Sequence, residues 1–439
     1  MSQKQTLIRG TAILTLTSFC TRFIGFFYRI FLSHTFGEEN VGLYQLVFPV
    51  YALGFSLSCA GVQLALSRCV ARHTACGEVD KAKELLKTSL LFTFTLSCII
   101  AVFLQHHSAT ISTVLLHDAR CTSLLILLSY AFPFASIHSC ICGYSLGLKG
   151  TKIPAVSQLI EQTFRVLFVF LVYLYADKQG ISVSIVLAVA GLAAGEIFAS
   201  LYSLMAIYGI TFRIPSPALS VHSFLIHFQE LFKHALPLTT SRVLLNILQS
   251  AEAVSIPLCL QYYGLSVSES LKIYGVLTGM ALPCILFPSA ITNAVSSMLL
   301  PTVAEMQAAQ HQKNLRSVIV RVTCYCIFLG SAFGVLLLLS GKRLGIFLFH
   351  SELAGQFILT LSWICPFLYT NTVLLSMVNG LGKTFFSFSA NFISLCIRIA
   401  GVFLFIPQFG ILGYLIGLLV SQIVLFSLCL LRLNFYLHT

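Results

Sequence analysis

The sequence predicts an all-α integral membrane protein of about twelve transmembrane helices, arranged as two six-helix lobes related by a pseudo-twofold axis. Three observations predict it. Hydrophobic residues make up 57% of the 439 and charged residues only 9%, with a mean hydropathy of +0.92, whereas a soluble domain carries about a quarter charged residues. Apolar runs of roughly 20 residues, long enough to cross the hydrocarbon core of a bilayer, recur from one end to the other. Landmark residues of the first half return in the second at a nearly constant offset.

Taken in order, the apolar runs place spans near 8–32, 41–66, 85–105, 122–147, 154–176, 181–208, 234–262, 272–300, 317–340, 355–380, 384–406 and 411–432. Residues 1–208 form an amino-terminal lobe, 209–233 a cytoplasmic linker and 234–439 a carboxy-terminal lobe. The chain opens with Lys4 and Arg9 and runs into an apolar stretch that contains Arg22 and Arg29 and has no small-residue cleavage site. This is a first spanning helix rather than a removable signal peptide. The linker holds Pro215 and Pro217 followed by a short amphipathic run, and it is too small for a catalytic domain. Pro49, Pro133, Pro237, Pro257, Pro283, Pro288 and Pro366 fall inside spans, where they bend helices and offer hinge positions.

With the amino terminus inside, sixteen of the 26 Lys and Arg fall in cytoplasmic segments, five in outer segments and five within spans. The positive-inside rule then predicts a multi-pass protein of the cytoplasmic membrane with both termini in the cytoplasm. The formal net charge of +12 reflects that asymmetry and an attraction to anionic membrane lipids. No soluble segment interleaves basic and aromatic residues as a nucleic-acid surface would, so no nucleic-acid partner is expected, and the chain is expected to act as a monomer.

At an offset of 230, Tyr44, Ala60 and Ser67 fall on Tyr274, Ala290 and Ser297. At 233, Pro133, Gly147 and Arg165 fall on Pro366, Gly380 and Arg398, and near 220 Thr21-Arg22 falls on Ser241-Arg242. Each half has an even number of spans, so the halves enter the membrane from the same side. Parallel repeats of this kind are a transporter signature, with the substrate expected between the halves.

Five arginines, Arg22, Arg29, Arg165, Arg242 and Arg398, lie at membrane depth. Facing lipid, they would cost on the order of 12–17 kcal/mol on insertion scales, so they are expected to face a cavity or partners. Thr11, Thr15, Ser18, Arg22, Gly25, Arg29 and Ser33 follow one another at steps of four and three, which puts them on one face of the first helix. Arg242, Asn246, Gln249 and Glu252 form a similar stripe on the seventh span, and Gln158, Glu161 and Arg165 one on the fifth.

Glu161 and Arg165 stand at a spacing that suits an intrahelical ion pair, so they are either a structural pair or substrate contacts. Arg29, late in its span, either lines the cavity or snorkels to the interface. Glu196 either pairs with an arginine or, with Glu161 and Glu252, couples transport to H⁺, Na⁺ or the membrane potential. Five arginines against three carboxylates leave a positive interior, and guanidinium forks match phosphate oxygens, so the expected cargo is an anion such as a diphosphate.

No catalytic residue, metal site or cofactor is expected. Fifteen cysteines lie mostly in apolar runs, where a thiol acts as a small hydrophobe. His106, His107 and His117 lack a carboxylate or thiol at ligand spacing. An enzymatic alternative, a membrane-embedded glycosyltransferase, would need acidic or histidine groups in a sizeable loop. A drug exporter of the same fold, coupled to H⁺ or Na⁺, would need carboxylates rather than arginines to dominate the interior.

Thr21-Arg22-Phe23-Ile24-Gly25 with Tyr28-Arg29, Gly42-Leu43-Tyr44-Gln45, Phe48-Pro49 and Pro154-Ala155-Val156-Ser157-Gln158 followed by Glu161-Gln162 and Arg165 resemble the stage V sporulation protein B family. Tyr274-Gly275, Gly279-Met280-Ala281-Leu282-Pro283 and Leu299-Leu300-Pro301 extend the likeness over nearly the whole chain. That family belongs to the multidrug, oligosaccharidyl-lipid and polysaccharide exporter superfamily and is related to lipid II flippases.

The resemblance implies a MATE-like two-lobed fold and the flipping of undecaprenyl-diphosphate-linked saccharide from the inner to the outer leaflet by alternating access. It also implies a part in peptidoglycan, spore-cortex or surface-polysaccharide assembly. It assigns substrate binding to Arg22 and Arg29, with Arg242, Asn246, Gln158, Arg165 and Arg398 added from the stripes. Many relatives have fourteen spans, the last two of which groove the lipid tail; this sequence has twelve.

Overall fold

The computed structural model describes residues 3–209, 220–308 and 312–438, and all regular structure among them is helical. The segment expected as a linker, 209–233, is described only at Gly209 and from Ser220 onward. Among the described residues twelve helical segments follow one another: α1 (3–36), α2 (38–75), α3 (Val79–Leu115), α4 (121–147), α5 (Lys152–Lys178), α6 (Val186–Ile207), α7 (Val221–Tyr262), α8 (267–308), α9 (Gln312–Phe349), α10 (352–380), α11 (Thr384–Phe409) and α12 (Ile411–His438).

The separation of α1 from α2 rests on one residue. Helical hydrogen bonding runs from Gln3 to Phe55, but Gly37 has φ 78° and ψ 171°, a conformation that only glycine adopts without strain. The apolar stretch Ala12–Ala75 is 64 residues long. As one straight helix it would run to about 96 Å, three times the hydrocarbon thickness, so it is two spans joined at Gly37.

Counted by continuous helix, ten stretches among the described residues are long and apolar enough to cross a membrane, and the pair Cys121–Ser129 and Ala131–Gly147, bent by 42°, makes an eleventh. Pro133, just past that bend, cannot supply the amide that would bond the Ser129 carbonyl. The eighth span, expected as one helix, is interrupted: a π-turn at Val276–Ala281 joins Val267–Gly275 to Leu282–Leu286, and a break at Phe287-Pro288 separates the latter from Ser289–Ala308.

Contacts divide the chain into two compact units, Met1–Gly25 with Leu46–Ser250, and Phe26–Gln45 with Ala251–Thr439. The division falls within α1–α2 and within α7 rather than along 209–233, for packing reasons. Leu231 and Ala235 of α7 are buried in one core with Val62, Leu66 and Val70 of α2, Leu85 and Leu86 of α3, and Ile141 and Tyr144 of α4. In the second unit, the backbone of Gly42 lies directly against Leu271 and Gly275, so residues 26–45 pack there. The second core gathers Val303, Ile319, Leu374, Met377, Leu425 and Leu433.

The repeat is visible in this packing. A methyl group added at Gly147 would stand 2.8 Å from the Ser67 carbonyl oxygen and from the Val70 side chain. One added at Gly380 would stand 2.8 Å from the Leu300 oxygen and 3.0 Å from Val303. All three positions are displaced by 233 residues, so each unit makes the same close helix crossing at a repeat-related glycine.

Candidate transport site

In the first unit polar groups of α2, α4, α5 and α6 converge. Gly25 of α1 brings its helix against α5, where a Cβ would meet the Gln162 amide at 3.2 Å. Gly195 does the same between α6 and α5, since a Cβ there would stand 2.6 Å from the Glu161 carbonyl oxygen. That approach carries Glu196 toward Glu161.

Glu196 is 5% exposed. It accepts a hydrogen bond from Tyr51 Oη at 2.8 Å, and its other oxygen lies 3.4 Å from His138 Nδ1. His138 Nε2 is 3.0 Å from Ser157 Oγ. Glu161 is ion-paired with Arg165 one turn along α5, and ligand atoms of His138, Glu161 and Glu196 all lie within 4.8 Å of one another. Two carboxylates and an imidazole thus meet at one place, with Glu196 buried and His138 and Glu161 half-buried. Sequence reasoning found Glu161 and Glu196 but missed His138, Tyr51 and Ser157; a histidine inside an apolar span was the available signal for the first.

Asn246 of α7, expected in a substrate stripe, instead bonds Ser56 Oγ at the π-turn of α2 and the Ala52 carbonyl at 3.4 Å. Ser250 adds a bond to the Pro49 carbonyl at 3.2 Å. That part of the stripe docks α7 onto α2. Gln158 and Arg242 are exposed, as is Arg22.

In the second unit, Glu252 is 3% exposed. Arg398 grips it with Nε on Oε1 at 2.7 Å and Nη2 on Oε2, and Tyr414 Oη donates to Oε1 at 3.0 Å. The repeat-related arginines Arg165 and Arg398 thus share a fate: each is neutralised by a glutamate, from its own helix in one unit and from α7 in the other. Arg398, expected as a substrate contact, has its fork on Glu252 in this structure. Glu196, which the sequence left open to arginine pairing, is held by Tyr51 and His138. Arg29 is half-buried and belongs by contacts to the second unit, so the α1 stripe is shared between the units.

The arginines therefore sort into two groups. Arg165 and Arg398 are half-buried and paired, whereas Arg22 and Arg242 are exposed and have no carboxylate partner among the described residues. All fifteen cysteines are free.

A family model described as polysaccharide biosynthesis protein matches residues 7–307, well over half of the chain. The chain belongs to that family. Proteins similar to this chain include the stage V sporulation protein B of Bacillus subtilis (strain 168), 27% identical over 427 residues that cover 96% of this chain and 82% of that one. The lipid II flippase MurJ of the same organism is 23% identical over 423 residues, covering 91% and 77%.

Among solved structures, lipid II flippase MurJ in an inward closed conformation aligns with a TM-score of 0.75 at 15% identity, over 96% of this chain and 87% of that one. A MATE family multidrug resistance transporter in its inward-facing conformation aligns with a TM-score of 0.74 at 14% identity, over 95% and 94%. At that identity the likeness is one of fold, and the fold is MATE-like.

Proposed function

We propose that this family member is a flippase for polyprenyl-diphosphate-linked saccharide, lipid II or a polysaccharide repeat unit, which it moves from the inner to the outer leaflet by alternating access. The observation that carries this reading is the pair Arg22 and Arg242: charged, exposed and without a carboxylate partner in spans that cross the membrane. An arginine facing hydrocarbon costs about 2.5–3.5 kcal/mol, so two of them uncompensated call for an anionic ligand or a water-filled path. The bidentate guanidinium fork suits the oxygens of a diphosphate.

The relative named as a lipid II flippase supports the same cargo class; in this reading the protein sits in the cytoplasmic membrane with both termini inside and works as a monomer. The drug-exporter alternative is disfavoured by the same observation, because Glu161 and Glu252, which would have to attract a cation, already face guanidinium groups. The His138–Glu161–Glu196 cluster is the place for coupling to H⁺ or Na⁺, with no other cofactor. Proteoliposomes carrying a fluorescent polyprenyl-diphosphate saccharide test the proposal. Leaflet exchange should depend on the protein and be lost in Arg22→Ala/Arg242→Ala, and exchange that is no faster than in empty vesicles refutes it.

A further inference from the structure

A second cluster of charged groups lies away from the transport site, where the start of α7 meets α2 and the α2–α3 turn. It sits at the polar ends of these helices, outside the apolar runs 41–66, 85–105 and 234–262. His73 is 9% and His227 6% exposed. His73 Nδ1 stands 2.6 Å from Glu78 Oε2, and its Nε2 lies 3.0 and 3.2 Å from the two oxygens of Glu230. His227 Nε2 stands 3.0 Å from Glu84 Oε2, which also accepts from Ser223, while its Nδ1 is buried without a hydrogen-bond partner, 4.0 Å from Glu230 Oε2. Arg72 pairs with Glu230, and Lys81 holds Glu78 at 2.7 Å. The Lys81 ammonium, and secondarily His73, keep the Glu78 carboxyl below its ordinary range.

The two histidines differ in the protons they need. A neutral imidazole donates from one nitrogen only, and an ionised carboxylate only accepts. His227 is satisfied in that form, with Nε2–H on Glu84 and a bare Nδ1 that bonds nothing. His73 faces a carboxylate with each nitrogen, so both contacts form together only when it carries two protons and a positive charge. Its charged neighbours are Arg72 on α2, Glu78 in the turn, Lys81 and Glu84 on α3, and Glu230 on α7; the thiol of Cys69 lies one turn before it, and Lys83 and Asp80 pair with each other. Three carboxylates thus stand against the two cations Arg72 and Lys81. Protonated His73 is the third cation and balances the cluster with His227 neutral.

We propose that His73 is a proton-operated latch that ties the start of α7 to the α2–α3 turn. With two protons it joins Glu78 to Glu230. When Nε2 gives its proton to water, the Nδ1–H stays on Glu78, the bare Nε2 turns its lone pair on Glu230, and the buried tie to α7 opens. Arg72 remains on Glu230, but its side chain is 57% exposed, and ion pairs that exposed hold weakly. Histidine is the side chain whose charge changes near neutral pH, and in the orientation proposed above the pH it reads is that of the cytoplasm. The two units divide within α7 at Ser250, so the latch fixes the beginning of a helix that belongs to both.

Hydrogen–deuterium exchange of the full chain in detergent tests the latch at about pH 6 and about pH 8.5, on either side of the ordinary histidine range, with labelling times scaled for the intrinsic effect of pH on exchange. Amides of residues 221–235 should lose about 10–100-fold of their protection at the higher pH, the worth of one hydrogen bond to a charged group, and those of 384–409 should not change. His73→Gln should abolish the difference, whereas His227→Gln and His138→Ala should retain it. Equal protection of 221–235 at both pH values in the unmodified protein overturns the proposal, as does a pH dependence that survives His73→Gln. The comparison within the unmodified protein needs neither a variant that folds nor any cargo, so its failure is distinct from failure of the flippase reading.

Discussion

The ion pair between Glu252 and Arg398 offers a direct measure of how far charge in this bundle is structural. Glu252 is 3% exposed and accepts from two nitrogens of Arg398 and from Tyr414, while the Arg398 side chain is 26% exposed. Removing one member of a buried pair leaves the other desolvated and uncompensated, which costs about 3–5 kcal/mol. Glu252→Gln keeps the shape and strands the guanidinium, so its cost should lie in that range. Tyr414→Phe removes one of three hydrogen bonds to a charged acceptor, for about 1.5–3 kcal/mol. The double replacement Glu252→Leu/Arg398→Met deletes both charges and should come within about 1 kcal/mol of the unmodified protein or exceed it, as replaced buried pairs often do. Thermal unfolding of the four proteins in one detergent, followed by loss of the monodisperse peak, measures the ordering. If both single changes cost under about 1 kcal/mol, the range of solvent-exposed pairs, the reasoning is wrong and Arg398 is available to substrate after all.

Other outcomes follow from the same geometry. Arg22→Ala and Arg242→Ala should each lower flipping at least tenfold in proteoliposomes while leaving unfolding within about 0.5 kcal/mol, because these arginines have no partner to strand. Gly195→Ala should cost about 1–3 kcal/mol by overpacking against the Glu161 carbonyl, 2.6 Å from the new methyl carbon, as read from thermal unfolding. It should also impair transport by spreading α5 from α6. Gly37→Ala, at φ 78°, should be destabilising because a Cβ is strained in that conformation, whereas Gly77→Asn, also at a positive φ, should be better tolerated. Glu196→Gln and His138→Ala should each alter the dependence of flipping on an imposed pH or Na⁺ gradient, measured as initial rates with and without the gradient; unchanged dependence in both removes that cluster from coupling.

How much of this was legible in the sequence can be seen residue by residue. The twelve segments were, because hydrocarbon imposes a length and an apolarity on every span, and those properties are local. The orientation expected for the termini rests on the same local counting of charge. The repeat was legible too: Gly147 and Gly380 aligned as letters and make the same crossing as atoms, since a glycine that allows close approach is hard to replace. The stripes on α1 and α5 and the spacing of Glu161 and Arg165 follow from helical periodicity.

What periodicity could not supply is the partner across a helix interface. Arg398 and Glu252 are 146 residues apart, Tyr51 and Glu196 145, and nothing in either local stretch names the other. Asn246 sits in a polar stripe that reads as substrate-facing, yet the π-turn of α2 presents Ser56 to it. The five intramembrane arginines are alike as letters. Only the packing of α11 on α7, and of α5 on itself, neutralises Arg398 and Arg165 while leaving Arg22 and Arg242 open. Sequence by itself determined that this chain spans a membrane many times, because burial in lipid is a property of single segments. Which positive charges remain for a ligand was decided by tertiary structure, because neutralisation is a property of pairs.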